Sequence, residues 1–92
     1  MSGVREQIII LLVEAANAHH RAFEAVGGND PEWPMWYAHY CLERLNGVLQ
    51  AKLTESTLVW LLVQADRAFR SQRPDMQWQA YYADAILTEV SA

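Results

Sequence analysis

Histidine and glutamate occur at a spacing that could bind a metal ion. His20 and Glu24 lie four residues apart, as do His39 and Glu43, so each pair shares one face of a helix. In helical bundles, imidazoles and carboxylates on facing helices form metal centres. Helical phase argues against this use, because His39 lies opposite the apolar stripe of its helix and His20 lies on a flank. We therefore expect both histidines to be exposed, and we predict no metal site and no cofactor.

His19 differs from the other two histidines, because it lies at the centre of an apolar helical face. A buried neutral imidazole needs a hydrogen-bond partner. One interpretation is a core histidine bonded to a tyrosine hydroxyl or a carbonyl. The other is a pocket in which His19 and His20 supply polar groups beside Tyr37 and Tyr82. On that alternative, the protein binds a small apolar ligand or a metal ion.

No motif for nucleophilic or nucleotide chemistry is present. The chain has no Gly-x-Ser-x-Gly, no phosphate-binding loop and no Gly-x-Gly-x-x-Gly. The single cysteine, Cys41, cannot form an intramolecular disulfide, and its apolar neighbours at helical spacing indicate a buried thiol. We therefore predict that the protein is not an enzyme.

Charge and hydropathy exclude several classes of partner. Seven Lys and Arg residues against eleven Asp and Glu give a net charge of −4, which disfavours binding to nucleic acid. The apolar run Ile8–Val13 is flanked by Glu6 and Glu14. It is shorter than the roughly 7–15 apolar residues of a signal peptide or the roughly 20 of a membrane span. We expect a soluble cytoplasmic protein that does not bind membranes.

Apolar residues recur at helical spacing in four segments, and no segment alternates as a strand would. The boundaries follow from residues that favour helix ends. The first helix should run from about Val4 to Val26 and stop at Gly27-Gly28. The other three should begin at Asp30–Pro34, at Thr54 and at Asp75, where each polar residue is the predicted N-cap.

The chain contains an internal repeat. Leu11–Ala15 recurs as Leu61–Ala65. Trp33–Ala38 recurs as Trp78–Ala83, where the first tryptophan, the two adjacent aromatic residues and the final alanine occupy matching positions. Each half is therefore a helical hairpin, residues 4–50 and 54–91, within one domain spanning residues 1–92. Neither hairpin can bury its apolar stripe alone, so we predict an all-α four-helix bundle with an approximate internal twofold.

Four apolar residues remain outside the predicted core. Trp36 and Tyr40 share a flank of the second helix, while Ile10 and Trp60 occupy equivalent positions away from the stripes of the first and third. Exposed aromatic and aliphatic residues mark interfaces. The favoured function is therefore a non-enzymatic protein–protein interaction module that uses these residues to form a homodimer or to bind another protein.

A distinctive motif, Asp-Pro-x-Trp-Pro-x-Trp-Tyr-Ala-x-Tyr, covers residues 30–40, and a shorter Trp-x-x-Tyr-Tyr-Ala covers residues 78–83. With the upstream Ala18-His19-His20, this pattern resembles a small bacterial all-helical family of uncharacterised function. The resemblance extends over nearly the whole chain. It implies a helical architecture and assigns no activity, cofactor or catalytic residue.

Overall fold

The computed structural model describes residues 3–91, which form four α-helices and one short 3-10 turn, with no strand in that range. The helices are α1 (Val4–Ala22), α2 (Trp33–Leu49), α3 (Glu55–Gln72) and α4 (Trp78–Ser91), and the turn is Glu24–Val26. This confirms the predicted all-α class. None of these helices combines the length and apolar content needed to cross a bilayer.

The helices pack in a ring. α1 contacts α2 and α4, and α3 contacts the same two helices, so α1 and α3 lie on one diagonal and α2 and α4 on the other. Short connections make consecutive helices antiparallel. The predicted four-helix bundle is therefore confirmed, and two of its four helix interfaces, α2 with α3 and α1 with α4, join the two hairpins.

Each helix contributes one large, fully buried side chain to the core: Ile8, Leu45, Leu58 and Ile86. Each also buries one alanine, whose small side chain lets neighbouring helices approach. These alanines are Ala15, Ala38, Ala65 and Ala83. The core follows the apolar stripes that the sequence predicts, with period 3.6 on each helix.

The connection between α1 and α2 starts earlier than predicted. The α-helix ends at Ala22 rather than near Val26, because the chain tightens into the 3-10 turn. Gly27 and Gly28 then adopt positive φ. The amides of Gly27 and Gly28 donate to the carbonyls of Glu24 and Phe23, a Schellman pair that stops the helical segment. The two glycines therefore end the 3-10 turn, whereas the prediction was that they end α1 itself.

The predicted N-caps have mixed outcomes. Thr54 caps α3, because its side-chain oxygen accepts the Thr57 amide at 3.2 Å. The prediction for Asp75 is wrong. α4 begins at Trp78, directly after Gln77, whose carbonyl accepts the Tyr81 amide. Asp75 lies in a bend that follows Pro74, too far upstream to reach the first free amides of α4.

Candidate ligand-binding site

An open pocket of about 410 Å³ lies at the end of the bundle that carries the α1–α2 and α3–α4 connections. Helix ends build it. Trp33 and Trp78 are the first residues of α2 and α4, while His19 and Phe69 come from the last turns of α1 and α3. Because four helices converge here, residues far apart in the sequence share one wall.

His19 is held in this pocket by a carboxylate. Its Nε2 lies 3.0 Å from Oδ2 of Asp30, and side-chain exposure is only 12% for His19 and 9% for Asp30. The other Asp30 oxygen, Oδ1, accepts the Glu32 amide at 3.1 Å. Asp30 was the predicted cap of α2, but Glu32 occupies that position. Asp30 instead closes the turn before the helix and orients the imidazole.

Aromatic rings pack on both sides of this imidazole. Phe23 and Tyr37 stack on it with ring centroids 4.6 and 5.1 Å away, and Trp36 meets it edge-on at 5.0 Å. Stacking and the bond to Asp30 together fix the ring. The sequence predicted a partner for His19 but not its type: the partner is a carboxylate rather than a tyrosine hydroxyl or a carbonyl.

A second polar cluster lies across the pocket, on α3 and α4. The Tyr82 hydroxyl donates to Asp66 Oδ1 at 2.9 Å, and Arg70 Nε donates to the same oxygen at 3.1 Å. Burial, and secondly the hydrogen bond to Asp66, raise the pKa of Tyr82 well above its ordinary value. The phenol therefore stays protonated and remains a donor to Asp66 at neutral pH.

Four rings join the two clusters. Trp33 meets Tyr37 edge-on at 5.9 Å, Tyr37 meets Trp78 at 6.2 Å, and Trp78 meets Tyr82 at 5.0 Å. We call Trp33, Tyr37, Trp78 and Tyr82 the aromatic wall. Edge-to-face contacts of this kind hold rings in fixed orientations. The wall thus lines the pocket with flat apolar surface between two carboxylates.

His20 and His39 lie away from the pocket. Both are exposed, as predicted, and neither lines it. His39 has 86% side-chain exposure and lies 3.4 Å from Glu55 rather than pairing with Glu43. Within residues 3–91, no three histidine, cysteine or carboxylate side chains converge to hold a metal ion.

Trp36 and Tyr40 form a separate surface on α2. Their rings stack at 5.2 Å, and the Arg44 guanidinium lies 4.8 Å above Tyr40. Both rings are half-buried against the core, while Met35 beside them is exposed. The predicted aromatic flank therefore keeps some accessible surface, but its rings also contribute to packing.

Ile10 and Trp60 are 51% and 52% exposed. They extend from α1 and α3, which lie diagonally across the bundle. Ile10 lies above the α1–α2 groove with Arg44 and Val48, and Trp60 is not among the residues there. The two side chains therefore belong to different faces of the protein.

Sequence reasoning missed three polar residues of the pocket: Asp30 as the partner of His19, Asp66 and Arg70. A signal for Asp66 was present, because it lies one turn after the core residue Leu62 and one turn before Arg70. An acidic residue on the extension of an apolar stripe indicates a polar group at the edge of the core.

The polar groups of the pocket include two carboxylates, an imidazole, a phenol and a guanidinium, which can donate and accept hydrogen bonds. Among residues 3–91, no serine, threonine or cysteine lines it. Cys41 lies in the core, where burial raises its thiol pKa to about 11.

Comparison with protein-family models, curated proteins and solved structures gives no match. The resemblance based on residues 30–40 therefore stays a prediction.

Proposed function

We propose that this protein binds a small molecule in the pocket between the aromatic wall and His19. The observation that supports this proposal is the convergence of fixed rings and oriented polar groups on one cavity. Its volume of about 410 Å³ lies within the range of roughly 300–1,000 Å³ common for ligand sites. On this proposal, the protein is a cytoplasmic binding protein without catalytic activity, and it needs no metal or cofactor.

We also propose that the pocket lies on the approximate twofold of the sequence repeat. Equivalent residues of the two halves line it in pairs, Trp33 with Trp78, Tyr37 with Tyr82, and His19 with Phe69. The pairing supports an origin in two related hairpins. The third pair breaks the symmetry, since the first half brings an imidazole where the second brings a phenyl ring, and this gives the ligand one orientation.

Two tryptophan variants test the proposal. Trp33→Leu removes an indole from the aromatic wall, whereas Trp60→Leu removes an exposed indole elsewhere. A fragment library is screened against ¹⁵N-labelled protein, with the indole N–H signals as reporters. Fragments that bind in the pocket shift the Trp33 and Trp78 signals and leave Trp60 unmoved. We expect Trp33→Leu to lose these fragments and Trp60→Leu to retain them.

The proposal fails if no fragment shifts the Trp33 and Trp78 signals, or if Trp33→Leu binds the same fragments with unchanged affinity. Thermal unfolding of both variants shows that each is folded at the temperature of the screen. A variant that loses binding while folded identifies the wall as part of the site.

A second candidate function is self-association, favoured by the half-exposed indole of Trp60. Tryptophan is enriched among residues that dominate interface energetics. We propose a symmetric dimer in which Trp60 packs against a second copy. Ile10 lies on another face, and a contact joining the Ile10 face to the Trp60 face would produce open chains rather than a closed dimer.

The same two variants separate the candidates. Sedimentation velocity over the micromolar range should show a dimer that Trp60→Leu abolishes and Trp33→Leu preserves. A monomer at every concentration would contradict self-association and leave the pocket proposal intact.

A further inference from the structure

The pocket combines two features that favour a positively charged ligand. Asp30 and Asp66 lie at its two sides, against a single guanidinium, Arg70. Apart from His19, the charged groups among the described lining residues, Asp30, Asp66 and Arg70, sum to one negative charge. The aromatic wall adds the negative faces of its rings, which attract cations within about 6 Å. We propose that the ligand is an organic monocation, an amine or ammonium carried on an apolar group.

The existing hydrogen bonds leave room for this interaction. Arg70 is 74% exposed at its side chain and donates its Nε to Asp66, so its charge is largely solvated and neutralised. Asp30 is nearly buried and bonded to His19 and the Glu32 amide. Neither partner is an ammonium or guanidinium group, so Asp30 has no permanently charged cation bonded to it. An entering ammonium would supply the missing countercharge for a carboxylate held in an apolar setting.

This inference rests on the proposed pocket but can fail separately. Three phenyl probes of similar size carry different charges: 2-phenylethylamine is a cation, 2-phenylethanol is neutral and phenylacetate is an anion. Each is titrated into ¹⁵N-labelled wild-type protein at pH 7.5 and constant ionic strength. Shifts of the Trp33 and Trp78 indole signals report binding, and Trp60 serves as the internal reference.

We expect the amine to bind about tenfold more tightly than the alcohol, because one unit charge in a partly desolvated site is worth at least that factor. Phenylacetate should bind most weakly. If the alcohol binds as tightly as the amine, or phenylacetate binds best, the inference is wrong while the pocket stands. If fragments bind but none of the three probes does, the inference is equally overturned. If nothing binds, both proposals fall.

A matched pair of variants locates the charge. Asp30→Asn removes the carboxylate that lacks a countercharge, while its amide oxygen can still accept the Glu32 amide and its NH₂ group can donate to Nε2 of His19. Asp84→Asn is the control. It changes the net charge equally, but it removes a carboxylate that does not line the pocket and that accepts a hydrogen bond from Arg5 Nε at 2.7 Å. We expect Asp30→Asn to weaken the amine about tenfold and to change the binding of the alcohol much less. Equal weakening by Asp84→Asn would indicate only the overall field of the protein and would overturn the inference.

Discussion

Tyr81 and Tyr82 are neighbours whose hydroxyls have different surroundings, which makes them a matched test at the residue scale. Tyr82 is buried and donates to Asp66, whereas the hydroxyl of Tyr81 donates to Gln72 at an exposed position. Tyr82→Phe leaves a carboxylate without one donor and should lower the free energy of unfolding by about 1–3 kcal/mol. Tyr81→Phe should change it by less than about 0.5 kcal/mol. Urea denaturation measures both, and equal losses would contradict a role for the buried hydrogen bond.

The thiol of Cys41 should make the protein less stable in alkali. Burial raises its pKa from 9.0 to about 11 in the folded chain. Between these values the unfolded chain ionises while the folded chain keeps its proton. The contribution of the protonated Cys41 thiol to the free energy of unfolding is therefore fully present below pH 9. It is lost as the pH rises toward 11, by roughly 2–3 kcal/mol in total.

The control for this prediction is Cys41→Ala, which removes the thiol and costs a constant amount at every pH. Tyr37 and Tyr82 also have raised pKa values, so both proteins lose stability at the upper end of the range. The difference between their unfolding curves isolates Cys41 and should shrink as the pH rises from 8 to 11. A constant difference would show that the folded thiol ionises normally.

At the scale of the element, local signals predicted the Thr54 cap but not the starts of α2 and α4, and the sequence did not predict the distant partners. Thr54 caps α3 through an amide three residues away, and that information lies within one turn of sequence. The pairs His19–Asp30 and Tyr82–Asp66 span 11 and 16 residues and depend on how the helix ends meet. The apolar stripes therefore predicted the bundle and its core, while the polar half of the pocket required the folded structure.

Asn46 is a second case of a role that periodicity hid, because it is a polar residue outside the apolar stripe of α2. Its side chain closes the α2–α3 connection: Nδ2 donates to the Leu53 carbonyl at 3.0 Å, and Oδ1 accepts the Leu53 amide at 2.8 Å. Asn46→Ala removes both bonds and should cost about 2 kcal/mol. The exposed Asn17→Ala in α1 should cost nothing or stabilise slightly, since alanine favours helix. Chemical denaturation of the two variants tests this, and similar values would show that the connection does not depend on Asn46.

At the scale of the whole molecule, the ring of helices makes each hairpin depend on the other. Two of the four helix interfaces, α2 with α3 and α1 with α4, join the hairpins. The fully buried layer takes two side chains from each half, Ile8 and Leu45 from the first and Leu58 and Ile86 from the second. Separating the halves would expose all four, which removes the burial that stabilises the helices.

We therefore predict that residues 1–50 and 51–92, made as separate chains, are largely unfolded alone and fold when mixed. The helices have 14–19 residues, little above the roughly 12–15 at which even alanine-rich isolated helices become marginal, and helices in proteins owe most of their stability to tertiary packing. Circular dichroism should show low helicity for each half and recovery in an equimolar mixture. The second half carrying Ile86→Asp should fail to restore it, because a carboxylate in the central layer has no partner. If either half alone reached the helicity of the intact chain, one hairpin would be sufficient for folding, and the interfaces between the hairpins would serve another purpose than stability.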